Sequence, residues 1–299
     1  MVSVPATTAN LGPGFDCLGL ALDLCNRTTF SLAETGQSIE ITGEGSEVLP
    51  ADSSNLVLRA AQRLFDEAGQ QPSGLHVLQE NSIPVGSGLG SSSAAVLGGM
   101  LAANAIIGNP LNEREVLKLA AGLEGHPDNV TPALLGGLTV TVIDDDDLVV
   151  ERVSIPDLQV VVVLPEFNLS TQAARRALPH TVPLADAIFN IGRVPLLVRA
   201  LEQGNYDRLA VAMKDRLHQP YRLALIPGMA EAFIAGKQAG AAAVALSGAG
   251  PSAIAFAADH HDEIARAMAG AFAAEGVDSR AWILAVHRHG SQIHVDPAS

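Results

Sequence analysis

The run Pro84-Val85-Gly86-Ser87-Gly88-Leu89-Gly90-Ser91-Ser92-Ser93-Ala94 constrains this chain more than any other stretch. It follows a strand-like segment, Leu75-His76-Val77-Leu78, and opens a small-residue helical run from Ala94 to Ala105. Three glycines let the backbone take conformations closed to other residues and approach a ligand closely. The serines then fall where a helix begins, beside unpaired N–H groups and the positive end of its dipole. Strand, glycine turn and helix start together make an anion cradle, and the expected anion is a nucleotide phosphate. The alternative is a plain glycine turn before a serine-capped helix.

This is neither of the two common phosphate loops. A P-loop needs Gly-x4-Gly-Lys-Ser/Thr, and the first lysine of this chain is Lys118. A dinucleotide fingerprint needs Gly-x-Gly-x-x-Gly and an acid about twenty residues on. Here the glycines read Gly-x-Gly-x-Gly, and Asn109-Pro110-Leu111-Asn112 occupies the region where the acid is needed. No Gly-x-Ser-x-Gly frames these serines, which excludes a nucleophile elbow.

A chain of 299 residues, 48% hydrophobic and 17% charged, can bury a substantial core as one large domain or two ordinary ones. Its net charge of −14 argues against nonspecific nucleic-acid binding, which needs clustered lysine and arginine. It does not oppose ATP, which backbone amides, a helix terminus and a divalent metal can hold. The longest apolar run, Val160 to Leu164, is strand-sized and too short for a membrane span. Met1-Val2-Ser3-Val4-Pro5 lacks the basic region of a secretion signal. Cys17 and Cys25 are too few for a disulfide framework and read as reduced and buried. A cytoplasmic location is expected.

Strands are expected over Thr28 to Leu32 and Ile39 to Thr42. Ser54 to Ala68 has helical spacing and stops at Gly69. Asn112 with Glu115 resembles a capping box for a helix to about Gly122. Gly137 to Ile143 and Leu148 to Val153 flank four aspartates, 144–147, which read as a solvated hairpin turn rather than a metal site. Leu158 to Leu164 has the pattern of a buried strand, and helical segments dominate from Ser170 to Gly240. A strand-turn-strand over Ala243 to Phe256 precedes a helix from about Asp262 to Glu275 and two closing strands, Trp282 to Val286 and Ser291 to Val295. Hairpins mixed with helices predict an α+β fold, with a boundary near 150–157 that divides the chain into residues 1–153 and 154–299.

Four further stretches can carry chemistry. Pro5-Ala6-Thr7-Thr8-Ala9-Asn10-Leu11-Gly12-Pro13-Gly14-Phe15-Asp16 puts an amide and a carboxylate in a glycine-rich loop, or is a plain turn before a strand. Glu124-Gly125-His126-Pro127-Asp128-Asn129 crowds two carboxylates, an imidazole and an amide at a helix end, which suits metal binding or substrate orientation. No cysteine or second histidine stands at zinc-ligand spacing there. His260, His261, His287, His289 and His294 read as solvated. Ser247-Gly248-Ala249-Gly250-Pro251-Ser252 braces the first glycine loop, contacts phosphate, or simply closes a hairpin. Arg175 and Arg222 lie in polar settings that suit carboxylate recognition.

Taken together, the stretches at 5–16, 84–94 and 246–252 resemble, in order, the three motifs of the GHMP kinase superfamily. Within it, Pro-Ala-Thr-Thr-Ala-Asn-Leu-Gly-Pro-Gly-Phe-Asp, Glu-Gly-His-Pro-Asp-Asn-Val and Gln-Pro-Tyr-Arg-Leu-Ala-Leu-Ile-Pro-Gly look like the homoserine kinase branch, over essentially the whole chain. The resemblance implies a two-domain GHMP kinase fold, with an N-terminal ATP-binding domain like ribosomal protein S5 domain 2 and a ferredoxin-like C-terminal domain. It implies ATP-dependent phosphorylation of the side-chain hydroxyl of L-homoserine on the route to threonine, by a cytoplasmic homodimer with no nucleic-acid or membrane partner. ATP would lie on Pro84, Gly86, Gly88, Leu89, Gly90, Ser91, Ser92, Ser93, Gly248 and Gly250. Mg²⁺ would be held by Ser92 and Glu124, with Ser91 or Ser93 as the alternative serine. Asn10, Asp16 and His126 would face the amino-acid end, with Asp16 on the ammonium. Arg175 and Arg222 would clamp the carboxylate, and Asn129 would orient the hydroxyl. Asp128 matches the region of a base in some relatives, but the homoserine branch implies transfer of the hydroxyl proton to phosphate with no dedicated base. The rival readings are a kinase for another small alcohol and a nucleotide-binding regulator without turnover.

Overall fold

The computed structural model describes residues 1–295 as two sheets with helices packed about them. The first sheet takes β1 (Val2–Ala9), β2 (Leu18–Leu32), β3 (Gly36–Gly43), β4 (Gly74–Asn81), β5 (Leu138–Asp144) and β6 (Asp147–Val153). The second takes β7 (Gln159–Pro165), β8 (Ala243–Leu246), β9 (Ala253–Phe256) and β10 (Ser279–Ala285), in the antiparallel order β10-β7-β9-β8. The last strand, β11 (Gln292–Ile293), returns to the first sheet and pairs with β1. Apart from β11, strands before 153 build one sheet and strands after it the other. Among the described residues only β3 and β4 pair in parallel, and the crossover between them carries α1 (Leu56–Ala68).

Local signals explain the helix ends. Asn55 caps α1 by accepting from Val57 N–H at 2.8 Å, and Gly69 closes it in a left-handed turn with φ +63°. α2 (Ser91–Ile106) leaves the glycine loop and packs between β2 and α1. A Cβ on Gly98 would stand 2.5 Å from Thr28 Oγ1, and one on Gly99 would strike the Val57 carbonyl, so these glycines allow the close approach. α3 (Glu113–Glu124) has the expected reciprocal cap: Asn112 Oδ1 accepts from Glu115 N–H at 3.1 Å, and Glu115 Oε2 accepts from Asn112 N–H at 2.7 Å. α4 (Val130–Leu135) follows and leads into β5.

The Asp144–Asp147 stretch is the hairpin between β5 and β6, with Asp145 at φ +51° in the turn. Asp147 is tied to Arg114 and to the Leu148 N–H, so this carboxylate is spent on the surface. In the C-terminal half, α5 (Thr171–Arg176), α6 (Leu184–Glu202), α7 (Tyr206–Ala212), α8 (Gln219–Leu223) and α9 (Met229–Gln238) precede β8, and α10 (His261–Ala274) follows β9.

After its exposed first residue, Gln159, β7 is apolar because it is buried on both faces. Val160 and Val162 join the core that contains the first sheet, while Val161 and Val163 join a second core with Met229, Phe233, Met268 and Phe272. Two expectations need correction. The stretch 5–16, read as a glycine-rich loop, begins inside β1, and β2 starts ten residues before the expected Thr28; Pro5 is accommodated in β1 at a bulge, where the register shifts between Pro5 and Ala6. Cys17 and Cys25 are free but only half-buried, since Cys25 lies beside that bulge and Cys17 in the turn before β2. Burial still pushes the Cys17 thiol up to about 11, helped by Asp128 and Asp16.

Candidate active site

Both glycine turns and the N-terminal loop meet at one cavity of about 260 Å³. Gly86, Gly88 and Gly90 all sit in left-handed backbone, at φ +67°, +79° and +71°. The turn is anchored from behind. Leu89 is fully buried and its carbonyl accepts from Thr7 N–H at 3.0 Å, while Ser87 Oγ donates to the Pro84 carbonyl at 2.7 Å. Pro84 and Leu89 frame the loop from behind and are not among the residues that line the cavity. The remaining expected loop residues, Gly86, Gly88, Gly90, Ser91, Ser92 and Ser93, line it together with Gly248 and Gly250.

The second glycine turn braces the first. Ser247 Oγ donates to the Gly88 carbonyl at 2.7 Å, and Ser252 N–H donates to the Ser87 carbonyl at 3.2 Å. A Cβ on Gly88 would meet the Ser247 carbonyl and lie 2.7 Å from the Gly250 carbonyl oxygen, so the approach requires glycine. Gly248 reaches the N-terminal loop: its N–H donates to the Ala9 carbonyl, and its own carbonyl accepts from Asn10 Nδ2 at 2.8 Å.

The start of α2 has no side-chain cap. Its first-turn N–H groups lack intrahelical partners and present the positive dipole end beside the loop, as a phosphate requires. The serines that could have capped it turn elsewhere. Ser92 Oγ donates to Glu124 Oε1 at 2.6 Å and Ser93 Oγ to Glu124 Oε2 at 2.8 Å, whereas Ser91 Oγ points to the Ile83 carbonyl at 3.5 Å. Two hydroxyls and a carboxylate form a hard oxygen donor set next to a phosphate cradle, which fits a divalent cation of the Mg²⁺ kind.

At the other end of the cavity, Asp16 and Arg175 make a bidentate pair with N–O distances of 3.0 and 2.9 Å. Asp16 sits at φ +57°, and its N–H donates to Asn10 Oδ1 at 3.0 Å. The Asp16 carboxylate holds the Arg175 pKa above its ordinary value. Arg222 is only 1% exposed. Its guanidinium donates to the Gly248 carbonyl at 3.3 Å and to the Ala174 carbonyl at 3.5 Å, and burial lowers its pKa. His126 Nδ1 lies 2.9 Å from Asp128 Oδ1, and that hydrogen bond raises the histidine pKa against the effect of burial. Asn129 Oδ1 accepts from Thr7 Oγ1 at 2.9 Å, and its amide lies 3.4 Å from Asp128.

Several contributors carry little signal in the sequence. Phe15 lies beneath the arginines, with the guanidinium carbons of Arg222 and Arg175 5.1 and 5.7 Å from its ring centroid. His218 stacks on the same ring at 5.0 Å, and its Nε2 meets the Gly12 carbonyl at 2.7 Å. Asp215 takes the N–H groups of Leu217, His218 and Gln219, which fixes the approach to α8 and the position of Arg222. Thr171 also lines the cavity. The spacing of His218 and Arg222, one helical turn apart, is the only cue the sequence offers to this group.

The family model described as the GHMP kinases N terminal domain matches residues 55–137, and that described as GHMP kinases C terminal matches residues 197–274. A homoserine kinase of Moorella thermoacetica is 48% identical over 98% of this chain and 99% of its own length. One from Carboxydothermus hydrogenoformans is 44% identical, over 93% of this chain and 91% of that one. The crystal structure of homoserine kinase from Cytophaga hutchinsonii superposes with a TM-score of 0.88 at 32% identity, covering 97% of this chain and 96% of that one. The mevalonate kinase of L. major, at 18% identity and TM-score 0.75 over 96% of this chain and 95% of that one, shares the fold. With both family models and the full-length relatives in agreement, the chain belongs to the GHMP kinase family, in its homoserine kinase branch.

Proposed function

We propose that the protein transfers the γ-phosphoryl group of ATP to the side-chain hydroxyl of L-homoserine, forming O-phospho-L-homoserine and ADP. One observation carries this reading: the phosphate cradle shares its cavity with an acid, Asp16, and two cations, Arg175 and Arg222. That charge pattern complements a zwitterionic amino acid and has no counterpart need in a neutral alcohol. Relatives as similar as the Moorella thermoacetica protein bear the name homoserine kinase.

Phosphoryl transfer depends mainly on positioning and charge neutralisation, because its transition state is loose. The amides of the glycine loop and the start of α2 bind the phosphates. Glu124, Ser92 and Ser93 are the residues to hold Mg²⁺, which when bound supplies neutralisation of phosphoryl charge. On the acceptor side, Asp16 takes the ammonium while Arg175 and Arg222 take the carboxylate, and Asn10 and His126 border that end. Asn129, oriented by Thr7 and Asp128, directs the hydroxyl. Asp128 is only 3% exposed and its Oδ1 is engaged by His126, which suits a positioning role rather than that of a base. The hydroxyl proton then passes to a phosphoryl oxygen.

We place the protein in the cytoplasm as a homodimer. No helix among the described residues is long and apolar enough to cross a membrane. Leu184, Ile188 and Ile191 form an exposed apolar stripe on α6 that supports self-association. Sedimentation of the wild type against Ile188→Glu tests the dimer: an unchanged mass removes this face from it.

The reaction is tested by ADP release with Mg-ATP and L-homoserine, the product being identified by phosphorus NMR. Parallel reactions contain D-homoserine, L-threonine, mevalonate or no acceptor. Phosphorylation specific to L-homoserine is expected. ADP formation that is independent of it, or faster with another alcohol, overturns the assignment.

A further inference from the structure

Outside the lining of the cavity, Asp23, Cys25 and His287 bring a carboxylate, a thiol and an imidazole together, with one donor atom from each within 4.8 Å of the others. The cluster arises where the β1–β2 ladder is irregular. Cys25 stands opposite Pro5, and Leu22 stands opposite the next residue, Ala6, so Asp23 and Leu24 are extra on β2. Pro5 has no N–H for the ladder, which makes this a natural place for a bulge, and a bulge re-aims side chains. His287 comes from the far end of the sequence. Its N–H donates to the Ala21 carbonyl at 3.0 Å, and its carbonyl accepts from Gly137 N–H at 2.9 Å. Next to it, Val286 bridges Leu22. His287 is therefore pinned to β2 by its backbone, half-buried rather than solvated as its sequence position suggests, and its Nδ1 is buried without a hydrogen-bond partner.

We infer that Asp23, Cys25 and His287 form a binding site for a zinc-class divalent cation, which ties the C-terminal segment to the first sheet. Mixed sulfur, nitrogen and oxygen donors select a borderline cation over Mg²⁺ or Ca²⁺, which prefer oxygen. Tetrahedral bonds of the usual zinc lengths put ligand atoms about 3.3–3.8 Å apart, so side-chain adjustments of about 1 Å or less bring the three donors to bonding distance. Three protein ligands leave one position for water. Pro5, opposite Cys25, is two residues from Thr7, whose N–H donates to the Leu89 carbonyl at the back of the glycine loop, so the cluster lies behind the cavity and outside its lining. Its effect is on the joint between β2 and the C-terminal segment.

Cobalt(II) is the probe, added in equimolar amount to the reduced full chain with Mg²⁺ in saturating excess to occupy the oxygen site. A thiolate-to-cobalt charge-transfer band is expected in the near ultraviolet, displaced by zinc(II). It persists in Cys17→Ser and disappears in Cys25→Ser. Asp23→Asn, at an exposed position that leaves packing intact, and His287→Ala each weaken cobalt affinity by at least about tenfold. Zinc(II) raises the melting temperature of the wild type and not that of Asp23→Asn. Absence of the band in the wild type overturns the proposal, as does a band that survives Cys25→Ser or an affinity indifferent to both Asp23 and His287.

Discussion

Replacing Asp16 by asparagine separates what the Asp16–Arg175 pair does for the fold from what it does for the substrate. Asparagine is the right replacement because Asp16 lies at φ +57°, a backbone region that asparagine tolerates and alanine does not. It also keeps the backbone turn in which Asp16 N–H donates to Asn10. Both partners are 38% exposed, so solvent screens the pair despite its bidentate geometry, and its loss should cost no more than about 1 kcal/mol of stability. Binding an ammonium is a different matter. Loss of one charge-assisted hydrogen bond removes about 2–3 kcal/mol, which corresponds to a fall of about 30- to 150-fold in kcat/KM for L-homoserine. The KM for ATP should stay at its wild-type value, because Asp16 is at the opposite end of the cavity from the glycine loop. Steady-state kinetics in each substrate and a urea melt suffice to measure this. A homoserine kcat/KM within threefold of wild type would refute the ammonium role, and a matching rise in the ATP KM would show that the variant had disturbed the whole loop.

Glu124→Gln removes the carboxylate that collects Ser92 and Ser93, so the Mg²⁺ concentration giving half-maximal rate should rise at least about tenfold; an unchanged Mg²⁺ titration removes Glu124 from the metal site. Gly88→Ala forces a side chain into left-handed backbone at φ +79°, costing about 1–2 kcal/mol before its clash with the 247–250 turn is counted. Its melting temperature should fall and its ATP KM rise, and a wild-type ATP KM would show that the two glycine turns need not touch. Burial lowers the His218 pKa, and the neutral ring donates from Nε2 to Gly12 while Nδ1 faces the Arg222 guanidinium. Its contribution is present in full above the unfolded value near 6.5 and is lost as pH falls through the depressed folded pKa. Urea stability should therefore decline on acidification below pH 6.5 by up to about 1.4 kcal/mol per pH unit, a slope that His218→Phe lessens; equal slopes in the two proteins would show that His218 titrates freely.

Helix boundaries were legible because their chemistry is local. The Asn112–Glu115 cap and the Gly69 stop satisfy backbone groups of their own helices, so the residues announce the end wherever it lies in space. The β5–β6 hairpin is equally local, its four aspartates being tolerable only in a turn that faces solvent. The closing strand expected over Ser291 to Val295 is present as β11 but shortened to two residues, because it is a strand only where β1 offers it an edge. β1 carries no such local signal: Pro5–Ala9 read as the start of a glycine-rich loop, and Pro5 is tolerated in a strand only because β2 supplies two extra residues at the bulge.

The site divides in the same way. Residues legible in the sequence are those whose task demands a particular backbone or a charge: the glycines at positive φ, the serine-rich helix start, and Asp16 with its arginines. Their supports are anonymous. Phe15 reads as an ordinary apolar residue, yet it sits under Arg175 and Arg222 and against His218. Arg222 shows why these supports matter for specificity. A cation that is 1% exposed has few ways to satisfy its donors, and the carbonyls of Ala174 and Gly248 neutralise none of its charge. Asp16 is already committed to Arg175. The unfilled demand for an anion is thus held in place by aromatic stacking and backbone hydrogen bonds, beside a carboxylate that can exchange Arg175 for an ammonium. A zwitterion answers both demands at once, whereas a neutral alcohol answers neither and a simple carboxylate leaves Asp16 repelling it. Discrimination among acceptors accordingly rests on the pairing of opposite charges a short distance apart, and only secondarily on the shape of the carbon chain between them.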